Sequence, residues 1–176
     1  SMREAALDRL MAEIRYVLSG MIYGFTFEYR PSDAARGVSE QFTAEPVHQI
    51  PAGDPALDVL QSWVDGSRLY VRVGYELHPQ QQSWYASWRS HAIPHVTGSG
   101  AAAWFGGFAM RVAAVEDALR SGCREHLRSR TFARPAYASG SVVLVDSPRI
   151  DVYAGQYTAQ VAFALRVDEL RHYEVY

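Results

Sequence analysis

The chain has 176 residues, 48% of them apolar and 20% charged, enough for one well-buried core and too short for two ordinary domains, so a single domain over 1–176 is expected. Its net charge of −2 speaks against nucleic acid or an anionic membrane as the main partner. All 17 basic residues are arginine, and neither lysine nor asparagine occurs, which excludes a Schiff-base lysine, a phosphate-loop lysine and an N-glycosylation site.

The simplest cause of that bias is a GC-rich genome that avoids A-rich codons. From the N-terminus, Ala6, Leu7, Leu10, Met11, Ile14, Val17 and Leu18 recur at helical spacing and predict an amphipathic helix that Gly20 closes as its C-cap. Tyr23, Phe25, Phe27 and Tyr29 then alternate with Gly24, Thr26 and Glu28, the period of a strand with one buried face. Pro31 breaks it, and Ser32 or Asp33 is placed to cap a short turn through Arg36. Phe42 to Ile50 reads as a weaker strand, and Pro46 within it points to a sheet edge. Leu57 to Val64 and Leu69 to Leu77 flank Asp65-Gly66-Ser67, a strong hairpin signal.

Pro79 stands at the first turn of a short helix in which Trp84, Tyr85 and Trp88 fall at helical spacing; Pro94 ends the segment. Thr97-Gly98-Ser99-Gly100 reads either as a flexible linker or as a strand running into Ala101–Phe105. From Phe108 the stripe Phe108, Val112, Val115, Leu119, Gly122, Cys123 and His126 defines a second long helix. Its opposite side, with Arg111, Asp117, Arg120, Arg124, Glu125 and Arg128, is expected to face solvent. Glu116 and Arg120, four apart, would add only roughly 0.2–0.5 kcal/mol. Burying the four large apolar side chains contributes roughly 1.5–3 kcal/mol each. Pro135 forbids continuation. Two strands joined by a turn follow: Val142 to Val145, apolar on both faces, and Tyr157 to Leu165, alternating and half-buried.

The fold class expected is α+β, with two long amphipathic helices packed on antiparallel β-sheet. The helix-then-strands order of each half allows two similar lobes, 1–95 and 96–176. No stretch reaches the ~18–20 apolar residues of a membrane span. Ser1-Met2 looks like the scar of tag cleavage. An export signal removed upstream would place the protein in the periplasm or cell envelope; otherwise it is cytoplasmic.

Little chemistry is visible. Cys123 and His126 share a helical face, but that face should meet the core, where cysteine behaves as a small hydrophobe. His91 and His95 have metal-pair spacing, yet Pro94 between them breaks the helix. Neither a catalytic residue, a metal site nor a cofactor is therefore expected. The Trp84, Tyr85 and Trp88 cluster is the candidate surface for a ligand or protein partner. The arginine row 120, 124, 128, 130 and 134 reads as a solvated face, or as a grip for an acidic partner.

The alanine-rich helix, preceded by Gly98-x-Gly100 and followed by Gly140-x-Val-x-Leu144 and Gly155-x-Tyr-x-Ala-x-Val161, resembles the small non-catalytic domain of bacterial envelope lipoproteins and flagellar-accessory proteins. The resemblance spans residues 96–167. It implies a non-enzymatic binding or assembly protein of a bacterial cell envelope, working through a protein partner or self-association. The alternative is a small-ligand carrier whose helix lies across a curved sheet, with Phe25, Phe27, Tyr75, Trp84 and Trp88 lining an aromatic pocket.

Overall fold

The first helix, α1 (Met2–Ile22), opens on a reciprocal capping box: the Ser1 hydroxyl accepts from the Glu4 amide, and the Glu4 side chain accepts in return from the Ser1 backbone nitrogen. The computed structural model describes residues 1–175. Gly20 does not end this helix. It sits within it, where a Cβ would lie 2.7 Å from the Phe25 ring, so its role is close approach. The left-handed residue is Gly24, at φ +77, and Tyr23 belongs to the helix end rather than to the strand.

β1 (Phe25–Arg30) buries Phe25, Phe27 and Tyr29 and exposes the residues between them. Asp33 caps a short 3-10 turn at Ala34–Arg36 through the Arg36 amide. β2 (Gln41–Pro46) pairs with β1 and is an edge strand, ending at Pro46 rather than at Ile50. β3 (Leu57–Asp65) and β4 (Arg68–Tyr75) form a hairpin around Gly66-Ser67, with Asp65 opposite Arg68. α2 (Pro79–Trp88) begins where His78 caps the Gln81 amide.

β5 (His95–Ala103) resolves the glycine-rich stretch: it is a regular strand, not a linker. α3 (Phe108–Arg130) lies across it at unusually short range. A Cβ on Gly98 would stand 2.0 Å from the Ala118 carbonyl oxygen, and one on Gly100 would stand 2.2 Å from the Ala118 nitrogen. Facing Gly98 and Gly100, α3 presents Ala114, Ala118 and Gly122, so backbone packs on backbone. The C-terminal region holds three strands where two were expected: β6 (Tyr137–Leu144), β7 (Arg149–Tyr153) and β8 (Gln156–Arg171).

These strands form one curled antiparallel sheet in the order β2-β1-β6-β8-β5, with β7 pairing β8 beyond the end of β6. The sixteen-residue β8 is its spine, bonded along one side to β5 and along the other to β6 and β7 in turn. The described residues therefore form an α+β molecule with three α-helices. The two halves are not separate lobes, because β1 from the first pairs directly with β6 from the second.

The core lies between one sheet face and helices α1 and α3. Phe25, Phe27, Tyr29, Val142, Leu144, Phe163 and Leu165 meet Tyr16, Val115, Leu119, Cys123 and Leu127 there. Val143 and Ala164 point to the other face and are covered by Trp88 of α2, so β6 is buried on both sides. The β3–β4 ribbon is a separate two-stranded sheet.

Candidate functional site

The 84–88 aromatics do not form one surface. Trp88 is buried against Val143 and Ala164, with the Arg166 guanidinium 5.1 Å over its ring. Tyr85 is half-buried beneath Arg89, whose guanidinium carbon lies 3.3 Å from the ring centre. Trp84 is exposed and meets Tyr23 edge-on at 6.5 Å. The five aromatics expected to line a carrier pocket are likewise dispersed. Phe25 and Phe27 fill the core under α1 and α3, whereas Trp88 packs on the opposite sheet face. Tyr75 donates its hydroxyl to Asp54 at 2.9 Å.

Arg89, which sequence reading passed over, organises this region. Its guanidinium donates to the Leu144 carbonyl at 3.0 Å, to Tyr85 at 3.1 Å and to Met21 at 3.4 Å. One fork thus ties α1, α2 and β6 together.

Cys123 is fully buried, and burial pushes its thiol up to about 12, leaving almost no thiolate at neutral pH. Burial, then the charge of Arg130, lower the pKa of half-buried His126. His91 follows α2 and His95 opens β5. Among the described residues no group of three or more His, Cys, Asp or Glu side chains is gathered to hold a metal.

Two surfaces stand out instead. The first is the β3–β4 ribbon, whose strands, among the described residues, pair only with each other. Leu60 is 64% exposed and Val64 57%, and the stacked Trp63 and Tyr70 rings, 5.5 Å apart, are each 38% exposed. On the other side of the ribbon, where Val64 stands opposite Leu69, the side chains of Leu69, Val71, Val73 and Tyr75 are only half-covered. A bulge between Val59 and Gln61 turns Leu60 onto Gly74, where a Cβ would be 3.3 Å from it. The ribbon tip borders a groove of about 410 Å³ with α1, the start of α3 and β7, on whose wall Glu13 and Arg111 pair bidentately at 2.7 and 2.8 Å. Trp104, Phe105, Val152 and Tyr153 are also exposed, and Trp104 reaches the β7–β8 turn at Gly155.

The second surface is a cavity of about 200 Å³ beside the C-terminal part of α3, lined by Tyr29, Glu40, Leu127, Phe132 and three guanidinium groups. Sequence reading expected the polar side of α3 to face solvent, and half of it does not. Arg111 reaches Glu13, and Arg120 holds both Glu40 at 2.9 Å and Asp117 at 3.0 Å. Arg120 is thus drawn to Asp117 and Glu40 rather than to the expected Glu116.

Fold and surfaces together define an α+β protein with a curled sheet, a projecting apolar ribbon and an arginine-lined cavity. A family model that assigns no function matches residues 2–173, and the chain belongs to that uncharacterised family. An uncharacterised protein of Treponema pallidum (strain Nichols) is 25% identical over 165 residues, covering 92% of this chain and 68% of that protein. No solved structure matches.

Proposed function

We propose that this protein is a non-enzymatic binding and assembly module of a bacterial cell envelope that takes hold of a protein partner through the β3–β4 ribbon. The observation that carries the reading is the ribbon itself: among the described residues its two strands pair with no other strand, and it is apolar on both faces. A lone two-stranded ribbon is marginal in water. Contiguous exposed apolar side chains on a soluble surface mark interaction sites. A partner wrapped over Leu60, Trp63 and Tyr70 on one face and Val64 on the other would cover that area, and the stacked Trp63 and Tyr70 are the residue types that dominate interface energies. The half-buried helix pairs Glu13–Arg111 and Arg120–Glu40 hold the rest of the molecule as a rigid platform.

The test compares the wild-type chain with a Leu60→Glu/Val64→Glu double variant. Each is used to capture proteins from a bacterial envelope extract, and each is run in sedimentation velocity. The expected result is a partner, or a self-associated species, present with the wild type and lost with the variant. Identical captures together with identical monomer profiles would reject the reading.

A further inference from the structure

The cavity beside the C-terminal part of α3 lies away from the ribbon and carries its own chemistry. Its floor is the buried ring of Tyr29, and its apolar walls are Pro31, Leu127 and Pro135, all buried, with the fully exposed Phe132 at the rim. Three guanidinium groups open onto it, from Arg124, Arg128 and Arg134. They are not equally engaged. Arg134 donates to the Ser32 carbonyl, its only hydrogen bond among the described residues, and its charge is also felt at Asp33, which Arg36 already pairs. Arg128 meets Glu125 only at 3.5 Å, on an exposed helix face, a contact of little worth. Among the described residues Arg124 makes neither a hydrogen bond nor an ion pair; its charge is felt at the Tyr29 phenol.

The single acid in the lining, Glu40, is already neutralised: Tyr29 donates to it at 2.6 Å and Arg120 at 2.9 Å. Positive charge therefore exceeds negative inside a cleft with largely apolar walls. Guanidinium forks match carboxylate oxygens in a bidentate way. A dianion fits less well, because the Glu40 carboxylate and the negative end of the α3 dipole both stand close. The cavity, at about 200 Å³, is below the size of ordinary drug-like pockets and suits one side chain with its carboxylate.

We propose that this pocket binds a monocarboxylate bearing one apolar group, with Arg124 and Arg134 gripping the carboxylate and Pro31, Leu127 and Phe132 enclosing the apolar part. A free small acid and the C-terminal residue of a peptide present the same chemistry.

The test is titration calorimetry on the full chain. The probes are N-acetylphenylalanine, its amide, a tripeptide ending in phenylalanine with a free carboxylate, and inorganic phosphate. N-acetylphenylalanine is expected to bind at a single site. Its amide should bind at least about tenfold more weakly, a difference of about 1.4 kcal/mol. Arg124→Gln and Arg134→Gln should each weaken binding by a similar factor while leaving the circular dichroism spectrum and Tm unchanged. A tripeptide that binds as well as the acid identifies a peptide terminus as the source; one that is excluded identifies a free acid. The proposal is overturned if no probe binds saturably, if the amide or phosphate matches the acid, or if both variants bind like wild type.

Discussion

The Tyr16 hydroxyl is buried with no hydrogen-bond partner among the described residues, although its ring packs on Phe25 at 5.4 Å and edge-on to Phe108 at 6.5 Å. An unsatisfied buried hydroxyl carries a desolvation penalty. Tyr16→Phe should keep both ring contacts and leave stability unchanged or raise it by about 1 kcal/mol, read as the urea midpoint. Glu116 lies in the same region. Burial first, then the charge of Glu45, raise its pKa above the ordinary 4.5. Just above pH 4.5 the folded chain thus holds more protons at this position than the unfolded chain does. Stability contributed here falls as pH rises through that window. Glu116→Gln should flatten that limb of the stability–pH curve and raise Tm at neutral pH; a Tm below wild type at pH 7 would contradict the assignment. Arg89 works in the opposite sense. Removing a charged donor that serves three carbonyls should cost about 2–3 kcal/mol, and Arg89→Lys should restore only part of this, since an ammonium cannot reproduce the fork. Thermal unfolding of Arg89→Ala and Arg89→Lys measures both.

At the level of elements, the contact between β5 and α3 depends on missing side chains. Gly98→Ala or Gly100→Ala would push a methyl into helix backbone, which cannot yield as a flexible side chain would. Either should destabilise by about 1–3 kcal/mol or more, whereas Gly53→Ala, with open space around it but a φ of +78, should cost no more than about 1–2 kcal/mol. Equal losses at the three positions would mean that helix and strand are not in close apposition. The β7–β8 turn holds Ala154 at φ +51 and Gly155 at φ +74, a two-residue turn with both φ values positive. Alanine is strained there, so Ala154→Gly or Ala154→Asn should raise stability by about 0.5–1 kcal/mol. The sequence announced the β3–β4 hairpin through Asp65-Gly66, the α2 start through Pro79 and the two-sided burial of β6 through Val142–Leu144, because each is a local signal. β7 was missed: Arg149–Tyr153 is short and exposed at most positions, and pairing with β8 rather than residue pattern makes it a strand. Thr97–Gly100 was ambiguous for a related reason. Glycine there looks like flexibility until the helix that needs the space is known.

For the whole molecule, the two long apolar stripes implied a helix-on-sheet core, yet the repeated helix-then-strands order suggested two lobes. Long-range pairing merged them: β1 joins β6, and β8 carries β5 on one side and β6 with β7 on the other. The candidate surfaces divide in the same way. Trp84, Tyr85 and Trp88 were visible as a cluster in the chain, but α2 places Trp88 inward and Trp84 outward, because residues four apart on a helix are neighbours that different partners can still cover unequally. The ribbon's exposed Leu60, Trp63 and Val64 gave no warning, since an apolar strand residue looks the same in sequence whether a sheet face covers it or nothing does. The arginine row was legible; that Arg120 is paired while Arg124 has no partner among the described residues depends on Glu40, eighty residues from Arg120.

Composition and periodicity alone determined the α+β class, the long helical stripes, the hairpin turn and the absence of lysine chemistry, because these depend on neighbours within a few positions of one another. Which strands pair, which aromatic side chains remain in water and which arginines stay unpaired were decided only by the tertiary structure, because each depends on groups brought together from far along the chain.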